Sequence, residues 1–250
     1  MKIHLLLKKE EIDPVQMNQE KLAVVFDVLL ATSTITACLK AGAKSIIPVL
    51  NEEEALIEAE RHSPEEILLV GEYNGITIDG FHDPNPTRLQ EHVKGKKVIL
   101  STTNGTVAIR KSTSAKSIYV ASLLNADAVS NHIVTTYTNE TIVAVCSGSK
   151  NQFCIEDFYG AGYFISCMVK QIGFENVELT DSALAAKLFF ENTVDSSVQL
   201  LLHTRIGKML ESNAYDAVEY ISRCGVYQIV PKLWKQKYVM LEDTVVDHAY

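Results

Sequence analysis

The chain has 250 residues, 47% of them apolar, and a net charge of −8 at pH 7, so it can bury a large core in one domain or in two small ones. Its 23 lysine and arginine residues form no long basic run, which argues against a nucleic-acid partner because binding to a phosphate backbone needs clustered cations. The five cysteines are widely spaced, which argues against a disulfide framework or a structural zinc site. No apolar stretch is long enough for a membrane span or a signal peptide, so we expect a cytoplasmic protein with no membrane partner.

Apolar runs typical of buried strands alternate with helical segments in the first 180 residues. Strands are predicted at residues 3–7, 21–26, 45–49, 67–70, 98–100, 117–121 and 141–146. Helices are predicted at residues 31–40, 51–61, 125–136 and 156–171, with a further helix after residue 106. This alternation predicts an α/β fold with a mainly parallel sheet flanked by helices.

The pattern becomes mainly helical from residue 181 onward. Helices are predicted at residues 182–192, 195–211 and 214–222, and strands or extended segments at residues 227–231 and 237–241. We therefore expect a sheet domain at residues 1–180 and a second, smaller, more helical α/β portion at residues 181–250 packed on it. An arrangement in which the two portions interleave stays open.

Carboxylates follow three of the predicted strands. Asp27 and Glu72 come after the strands at 21–26 and 67–70, and the pair Glu156–Asp157 comes shortly after the strand at 141–146. If the strands are parallel, these ends lie at one edge of the sheet, where ligands collect in α/β proteins. Clustered hard oxygen ligands suit Mg²⁺ bridged to a substrate phosphate. The alternatives are a helix cap for Asp27, a surface ion pair for Glu72, and favourable helix-dipole contacts for the pair.

Two polar segments complete the predicted edge. The segment at 101–106, Ser-Thr-Thr-Asn-Gly-Thr, follows a strand and leads into a helix, so its hydroxyl, amide and backbone donors suit a phosphate or carboxylate. The alternative is that these residues merely cap the helix. The loop at 74–87 is rich in Gly, Asp, Asn and Pro, and its length is typical of a functional loop.

Five segments, in order along the chain, resemble motifs of the 2-phosphosulfolactate phosphatase (ComB) family. They are residues 25–34 (VFDVLLATST), 71–75 (GEYNG), 80–86 (GFHDPNP), 102–106 (TTNGT) and 153–157 (FCIED). The resemblance implies an α/β fold in two unequal portions and a homodimer. It also implies a Mg²⁺-dependent phosphatase that converts 2-phosphosulfolactate, a small anionic phosphorylated metabolite, to sulfolactate and phosphate.

The expected site combines these segments. The metal ligands are expected to be Asp27, Glu72, Glu156 and Asp157. The substrate contacts are expected to be Thr32, Ser33, Asn85, Thr102, Thr103, Asn104 and Gly105. Asp27 and Asp157 are the expected catalytic residues, with Asp157 orienting the water or acting as base. A covalent route through Asp27 stays open.

The chain departs from the family motifs at charged positions. Leu30, Tyr73 and Val107 stand where the family motifs have arginines, His82 stands where they have an aspartate, and residues 86–87 stand where they have Ser-Pro. Arginine binds phosphate, sulfonate and carboxylate groups through two parallel hydrogen bonds, so these departures affect substrate recognition. Three cations near the motifs could compensate: Arg88, Arg110 and Lys150. Besides a family phosphatase, two hypotheses remain: an enzyme for another phosphorylated metabolite, and a non-catalytic ligand-binding protein.

Overall fold

A computed structural model describes residues 1–193, 196–236 and 238–243 of the chain. The strands in this part are β1 (Lys2–Leu6), β2 (Lys21–Phe26), β3 (Ser45–Val49), β4 (Ile67–Tyr73), β5 (Ile76–Thr77), β6 (Lys97–Ser101), β7 (Ser117–Ala121), β8 (Thr141–Cys146), β9 (Glu178–Leu179), β10 (Pro231–Trp234) and β11 (Val239–Glu242). The α-helices are α1 (Ala31–Lys40), α2 (Glu52–Ala59), α3 (Pro86–Leu89), α4 (Gly105–Lys111), α5 (Ala126–Thr136), α6 (Ile155–Ile172), α7 (Asp181–Asn192), α8 (Ser197–His203), α9 (Arg205–Glu211) and α10 (Tyr215–Ile221). Short 3₁₀ helices lie at Lys9–Glu11, Pro64–Glu66 and Phe174–Asn176.

The strands form one mixed sheet in the order β5-β4-β6-β3-β11-β10-β7-β2-β8-β1-β9. Two parallel runs, β4-β6-β3 and β7-β2-β8-β1-β9, make up most of it. The α/β fold with a mainly parallel sheet and flanking helices is therefore confirmed.

The antiparallel hairpin of β10 and β11 lies in the middle of the sheet and joins the two runs. Lys232 on β10 pairs with Tyr119 on β7, and Met240 on β11 pairs with Ile46 on β3, both in antiparallel fashion. Since three antiparallel pairings separate β7 from β3, the two runs point in opposite directions. The expectation that all the strand ends share one edge of a parallel sheet is therefore wrong. β2 and β8 end at one edge, whereas β4 and β6 end in the opposite direction.

A shared core brings the two runs together. Val25 and Val120 from one run and Val98 and Leu100 from the other are buried in the same apolar cluster, under helix α1. A second cluster on the other face of β2 and β8 packs beneath α5 and α6. Strands covered on both faces need apolar residues at every position, which is why β2 reads as an almost unbroken apolar run.

The C-terminal region differs from its sequence prediction in two ways. The single helix predicted at 195–211 is two helices, α8 and α9, separated at Thr204; residue 195 itself lies outside the described residues. The late strands lie at Pro231–Trp234 and Val239–Glu242 and pair within the main sheet, while residues 237 and 244–250 lie outside the described residues. The division of the chain at residue 180 stays a prediction. In the described part of the chain no helix has the length and apolar character needed to cross a bilayer.

Candidate active site

A cleft of about 270 Å³ lies where the ends of β2, β4, β6 and β8 meet helix α9. Residues at or after these strand ends form what we call the polar floor: Asp27, Glu72, Thr102, Thr103, Asn104, Ser149 and Lys150. Residues of the 83–88 segment, Asn85 and Arg88 among them, line another side. Although the two runs of the sheet point in opposite directions, the strand ends that carry the sequence motifs still meet at this cleft.

Asp27 presents a buried carboxylate to the cleft, with only 8% of the residue exposed. Thr32 fixes the backbone at this point, since its hydroxyl donates to Asp27 O (2.9 Å) and accepts from Asp27 N–H (3.1 Å). Burial, and then the charges of Glu72 and Glu156, raise the pKa of Asp27 from 3.8 to about 7. A carboxyl group that titrates near neutral pH can take up or release a proton during catalysis.

Gly105 lets helix α4 approach Asp27 closely. A Cβ atom at this position would stand 2.6 Å from Asp27 Oδ2 and 2.5 Å from the Cβ of Ala31, which is closer than ordinary van der Waals contact allows. Gly105 therefore borders the carboxylate, although it does not itself line the cleft.

Glu72 ties the end of β4 to the turn after β6. Its Oε1 accepts from Thr103 N–H (2.7 Å), and its Oε2 accepts from the Thr103 hydroxyl (3.0 Å) and from Gly75 N–H (2.7 Å). Glu72 is thus held by two segments, and its carboxylate lies on the same floor as Asp27. The alternative of a surface ion pair is not supported, since the ion pairs found in the part of the chain that the structure describes include none for Glu72.

The turn at residues 102–105 serves the helix as well as the cleft. The Thr102 hydroxyl accepts from Thr106 N–H, and the Thr106 hydroxyl accepts from Thr102 N–H, both at 3.1 Å. These reciprocal bonds close the first turn of α4, as in a helix cap. Thr102, Thr103 and Asn104 also line the cleft, so the turn caps the helix and borders the ligand space at once.

Asn85 lines the cleft and carries a buried hydrogen-bond donor without a partner among the described residues. Its Oδ1 accepts from the backbone N–H and the hydroxyl of Thr87 (2.9 and 2.7 Å). Its Nδ2 is buried and has no partner in the described part of the chain, and only 1% of the residue is exposed. An unsatisfied buried donor costs about 1–3 kcal/mol, so the amide is suited to an acceptor that the ligand brings.

Glu156 and Asp157 lie behind the cleft instead of lining it. Asp157 is 2% exposed, and its two oxygens accept from Val28 N–H (2.9 Å) and Gly148 N–H (3.0 Å). Burial raises the pKa of both carboxyl groups, and the charge of Asp27 adds to the effect at Asp157. Asp157 therefore links the residue after Asp27 to the loop after β8, and this placement does not favour contact with a water in the cleft.

Thr32 and Ser33 are also placed away from the ligand space. Both are fully buried in the first turn of α1, and their hydroxyls donate to Asp27 O and Val28 O at 2.9 and 2.8 Å. Their geometry supports a role in holding the chain around Asp27, in place of the expected contact with substrate.

Sequence reasoning missed two cations of the site, Lys9 and Arg205. Lys9 is 7% exposed and donates from Nζ to Asn104 Oδ1 (2.8 Å), which leaves the Asn104 amide NH₂ for the cleft. It follows β1, which belongs to the same parallel run as β2, so its position just after a predicted strand was the available signal. Arg205 lines the cleft and donates to Ser149 Oγ (2.8 Å); its place inside a predicted helix gave no signal.

Of the three cations suggested as compensating, Arg88 and Lys150 line the cleft. Arg110 does not, because it pairs with Glu54 (2.6 Å) and lies over the ring of Tyr238. The ion pairs found among the described residues include none for Arg88, Lys150 or Arg205. Three positive charges are therefore available to an anionic ligand.

The fit of the site to Mg²⁺ can be judged from its oxygen donors. No group of three or more His, Cys, Asp or Glu side chains suited to hold a metal occurs among the described residues, so the expected set of four carboxylates does not assemble. Asp27 and Glu72 both face the cleft, however. Mg²⁺ is commonly held by one or two carboxylates, with water and substrate phosphate as its other ligands, and this pair fits that requirement.

The family model for 2-phosphosulpholactate phosphatase matches residues 6–236 of the chain. This chain belongs to the 2-phosphosulfolactate phosphatase family. A probable 2-phosphosulfolactate phosphatase of Clostridium acetobutylicum is 36% identical over 234 residues, covering 93% of this chain and 97% of the relative. Proteins of the same description from Carboxydothermus hydrogenoformans (34% identical, 93% of each chain) and Clostridium perfringens (42% identical, 77% of each chain) are also similar.

The resemblance drawn from the sequence motifs is thereby confirmed, and the structure shows which departures from them reach the cleft. Leu30 lines it. Tyr73 is 69% exposed and Val107 lies within α4, and neither lines the cleft. Of the three positions where the sequence motifs led us to expect an arginine, Leu30 is the one that lines the ligand space of this member of the 2-phosphosulfolactate phosphatase family.

Proposed function

We propose that the chain is a phosphatase that hydrolyses the phosphate monoester of a small acid to the alcohol and phosphate, with Mg²⁺ as its cofactor. The observation that carries the proposal is the buried Asp27 carboxyl group on a cleft that also presents Glu72 and three cations, Arg88, Lys150 and Arg205, that have no ion-pair partner among the described residues. Membership of a family whose relatives are described as phosphatases supports the reaction class.

The phosphate group is expected to lie on the polar floor. Its oxygens would accept hydrogen bonds from the amide nitrogens of Asn85 and Asn104 and from the side chains of Lys150 and Arg205. Hydrogen bonds from charged donors to phosphate are shorter and stronger than neutral ones, and donors fixed in advance need no reorganisation as charge develops.

Asp27 is the residue to which we assign proton transfer. It accepts a proton from the attacking water while the water oxygen bonds to phosphorus. The bond between phosphorus and the alcohol oxygen breaks, the alcohol oxygen takes a proton from solvent water, and Asp27 then returns its proton to solvent. In the alternative route, the Asp27 carboxylate attacks phosphorus, the bond from phosphorus to the alcohol oxygen breaks, and the alcohol leaves with a proton from solvent water. A water molecule then hydrolyses the acyl phosphate to phosphate and the free carboxylate. Asp157 acts as a positioning residue in both routes, because its oxygens are already bonded to backbone N–H groups.

Asp27 and Glu72 are the residues that would hold Mg²⁺. When bound, the cation would neutralise charge that develops on the phosphoryl oxygens. Glu72 is fixed by Thr103 and Gly75, so it would be a ligand of defined orientation.

A phosphatase assay on the wild-type protein and on Asp27→Asn tests the proposal. We expect phosphate release from small phosphate monoesters to depend on Mg²⁺, and Asp27→Asn to lose at least about 100-fold in kcat, the usual scale for a general base. Asp83→Asn is the matched control, since Asp83 is an exposed carboxylate on the same cleft. Unchanged activity in Asp27→Asn, or equal losses in both variants, would contradict the assignment.

The metal ligands are tested by calorimetric titration of the protein with Mg²⁺, and Glu72→Gln should weaken binding of the cation.

A hydroxamate formed after hydroxylamine treatment during turnover would favour the covalent route. The homodimer and the cytoplasmic location stay predictions, and light scattering of the purified protein tests the first.

A further inference from the structure

Part of the cleft surface is apolar. Leu29, Leu30, Ile206, Met209 and Leu210 line it, and we call them the apolar wall. Residues 206, 209 and 210 are spaced so that they share one face of α9. Leu30, Ile206 and Leu210 pack against the apolar cluster that contains Leu29, so a continuous core supports the wall from behind.

Met209 extends this wall across the cleft. It is 55% exposed, and its Cε would lie 3.5 Å from a Cβ placed on Gly75. The methyl group therefore reaches the turn between β4 and β5, close to Glu72. A flexible thioether can adapt to ligands of different shape, so the wall can follow the contour of a bound hydrocarbon group.

The cations of the cleft lie to either side of the apolar wall. Arg205 donates to Ser149 on the polar floor, and Lys150 is the next residue along the chain. Arg88 donates to the carbonyl oxygen of Asn213 (2.9 Å), beyond the end of α9. Between these two places the wall offers no charged partner, and an anionic group pressed against it would lose hydration without compensation.

From this arrangement we propose that the substrate is the phosphate monoester of a 2-hydroxy acid whose side chain is an uncharged hydrocarbon group. The phosphate lies on the polar floor, the carboxylate lies near Arg88, and the side chain lies against the apolar wall. This inference rests on the proposed phosphatase function and narrows its substrate.

Three esters that differ only in the side chain test the inference. They are 2-phosphosulfolactate, with a sulfonate; 2-phospholactate, with a hydrogen in its place; and the 2-phosphate of 2-hydroxy-4-methylpentanoic acid, with an isopropyl group in its place. We expect kcat/KM for the isopropyl compound to exceed that for the sulfonate by at least tenfold, with 2-phospholactate between them. A smaller difference, or a preference for the sulfonate, overturns the inference.

Leu30→Arg should reverse the order, raising kcat/KM for 2-phosphosulfolactate at least tenfold and lowering it for the isopropyl compound. Leu30→Gln is the matched control: it is polar but uncharged, so it should lose the isopropyl preference without gaining the sulfonate. Met209→Lys provides a second test at an exposed position if Leu30→Arg fails to fold, and should shift the preference in the same direction. If neither charged variant shifts the preference toward the sulfonate, the inference is wrong.

The outcomes of these assays distinguish a failure of this inference from a failure of the proposed phosphatase function. Hydrolysis of the sulfonate ester alone would leave the phosphatase function standing and refute the hydrocarbon side chain. No release of phosphate from these esters or from p-nitrophenyl phosphate, with or without Mg²⁺, would refute both.

Discussion

Asp27 is buried and lies near the charged carboxylates of Glu72 and Glu156. Both effects should lower the free energy of unfolding when Asp27 is ionised. Because its pKa is raised from 3.8 to about 7, Asp27 holds its proton more tightly in the folded than in the unfolded chain. Its contribution to the free energy of unfolding is therefore fully present below about pH 4 and is lost as the pH rises to about 7. Above about pH 7 Asp27 is ionised in the folded protein, and its burial and the repulsion from Glu72 and Glu156 lower the free energy of unfolding to the full extent.

Asp27→Asn should consequently be more stable than the wild type above neutral pH. Without Mg²⁺ at pH 8 we expect a gain of about 2–4 kcal/mol in the free energy of unfolding, at about 1.4 kcal/mol per pKa unit, and almost none at pH 4. Urea denaturation at a series of pH values measures the difference. Asp83→Asn should show no such trend, and a gain for Asp27→Asn that is equal at pH 4 and pH 8 would refute the explanation.

Lys9 is expected to act through Asn104. Its Nζ donates to Asn104 Oδ1 at 2.8 Å, so Lys9→Met should free the amide to turn and should weaken binding of inorganic phosphate by about tenfold, the loss of one charge-assisted hydrogen bond. Asn104→Ala should weaken binding by a similar factor. The double variant should be little worse than either single variant, because both substitutions remove the same interaction.

Calorimetric titration with phosphate completes this double-mutant cycle, and thermal unfolding controls for stability. Lys9→Arg should restore most of the affinity, because it keeps a donor and the charge. If Lys9→Met only lowered the thermal midpoint, or if the effects of the two substitutions simply added, Lys9 would be a structural cation without influence on the amide.

Single elements were predicted well wherever local pattern decides them. β2 and β8 are almost entirely apolar because both faces are covered, and they appear at the predicted residues. The break between α8 and α9 was missed, because the apolar spacing runs through it without interruption. Local capping explains it: the Thr204 hydroxyl accepts from Gly207 N–H (2.9 Å) at the start of α9, and any Cβ at Gly207 would stand 1.8 Å from Leu201 O. Because the helix ends and a new one begins at Thr204, Arg205 and Ile206 lie in the first turn of α9, where they line the cleft.

The contact between α4 and α1 depends on Gly105. Gly105→Ala would place a methyl group 2.5 Å from Ala31 Cβ and 2.6 Å from Asp27 Oδ2, so we expect a loss of about 1–3 kcal/mol in stability, typical of overpacking, and a loss of activity as the carboxylate is displaced. Adding Ala31→Gly removes one of the two clashes. The double variant should regain part of the stability but little activity, and a Gly105→Ala protein with wild-type stability would contradict the close packing.

At the scale of the whole molecule, the sequence could not reveal the direction of the two parallel runs. Strand patterns are local, whereas the direction is set by pairings between residues far apart, such as Met240 with Ile46. The same limit explains the site. The motif residues that line the cleft could be identified, but the burial of Asp157 and the position of Arg205 at the cleft follow from long-range packing that carries no local signature. For Lys9 the one local signal was its position just after a predicted strand.

The central position of the β10–β11 hairpin predicts that the described parts of the chain unfold together. Trp234 is the single tryptophan of the chain and lies on β10, half exposed, so its fluorescence reports on the hairpin, whereas far-UV circular dichroism reports on all helices and strands. Since β10 and β11 pair with β7 and β3, the hairpin cannot leave without splitting the sheet. The two signals should therefore give coincident urea transitions, as in two-state unfolding.

Leu233→Ala sharpens this test. Leu233 is buried in the core shared by both runs, so its truncation should cost about 2–5 kcal/mol and should shift both transitions by the same amount. Val226→Ala, at an exposed position before the hairpin, should shift neither. A fluorescence transition at lower urea than the dichroism transition would mean that the C-terminal portion unfolds as a separate unit. In that case the boundary predicted near residue 180 would describe the molecule better than one continuous sheet.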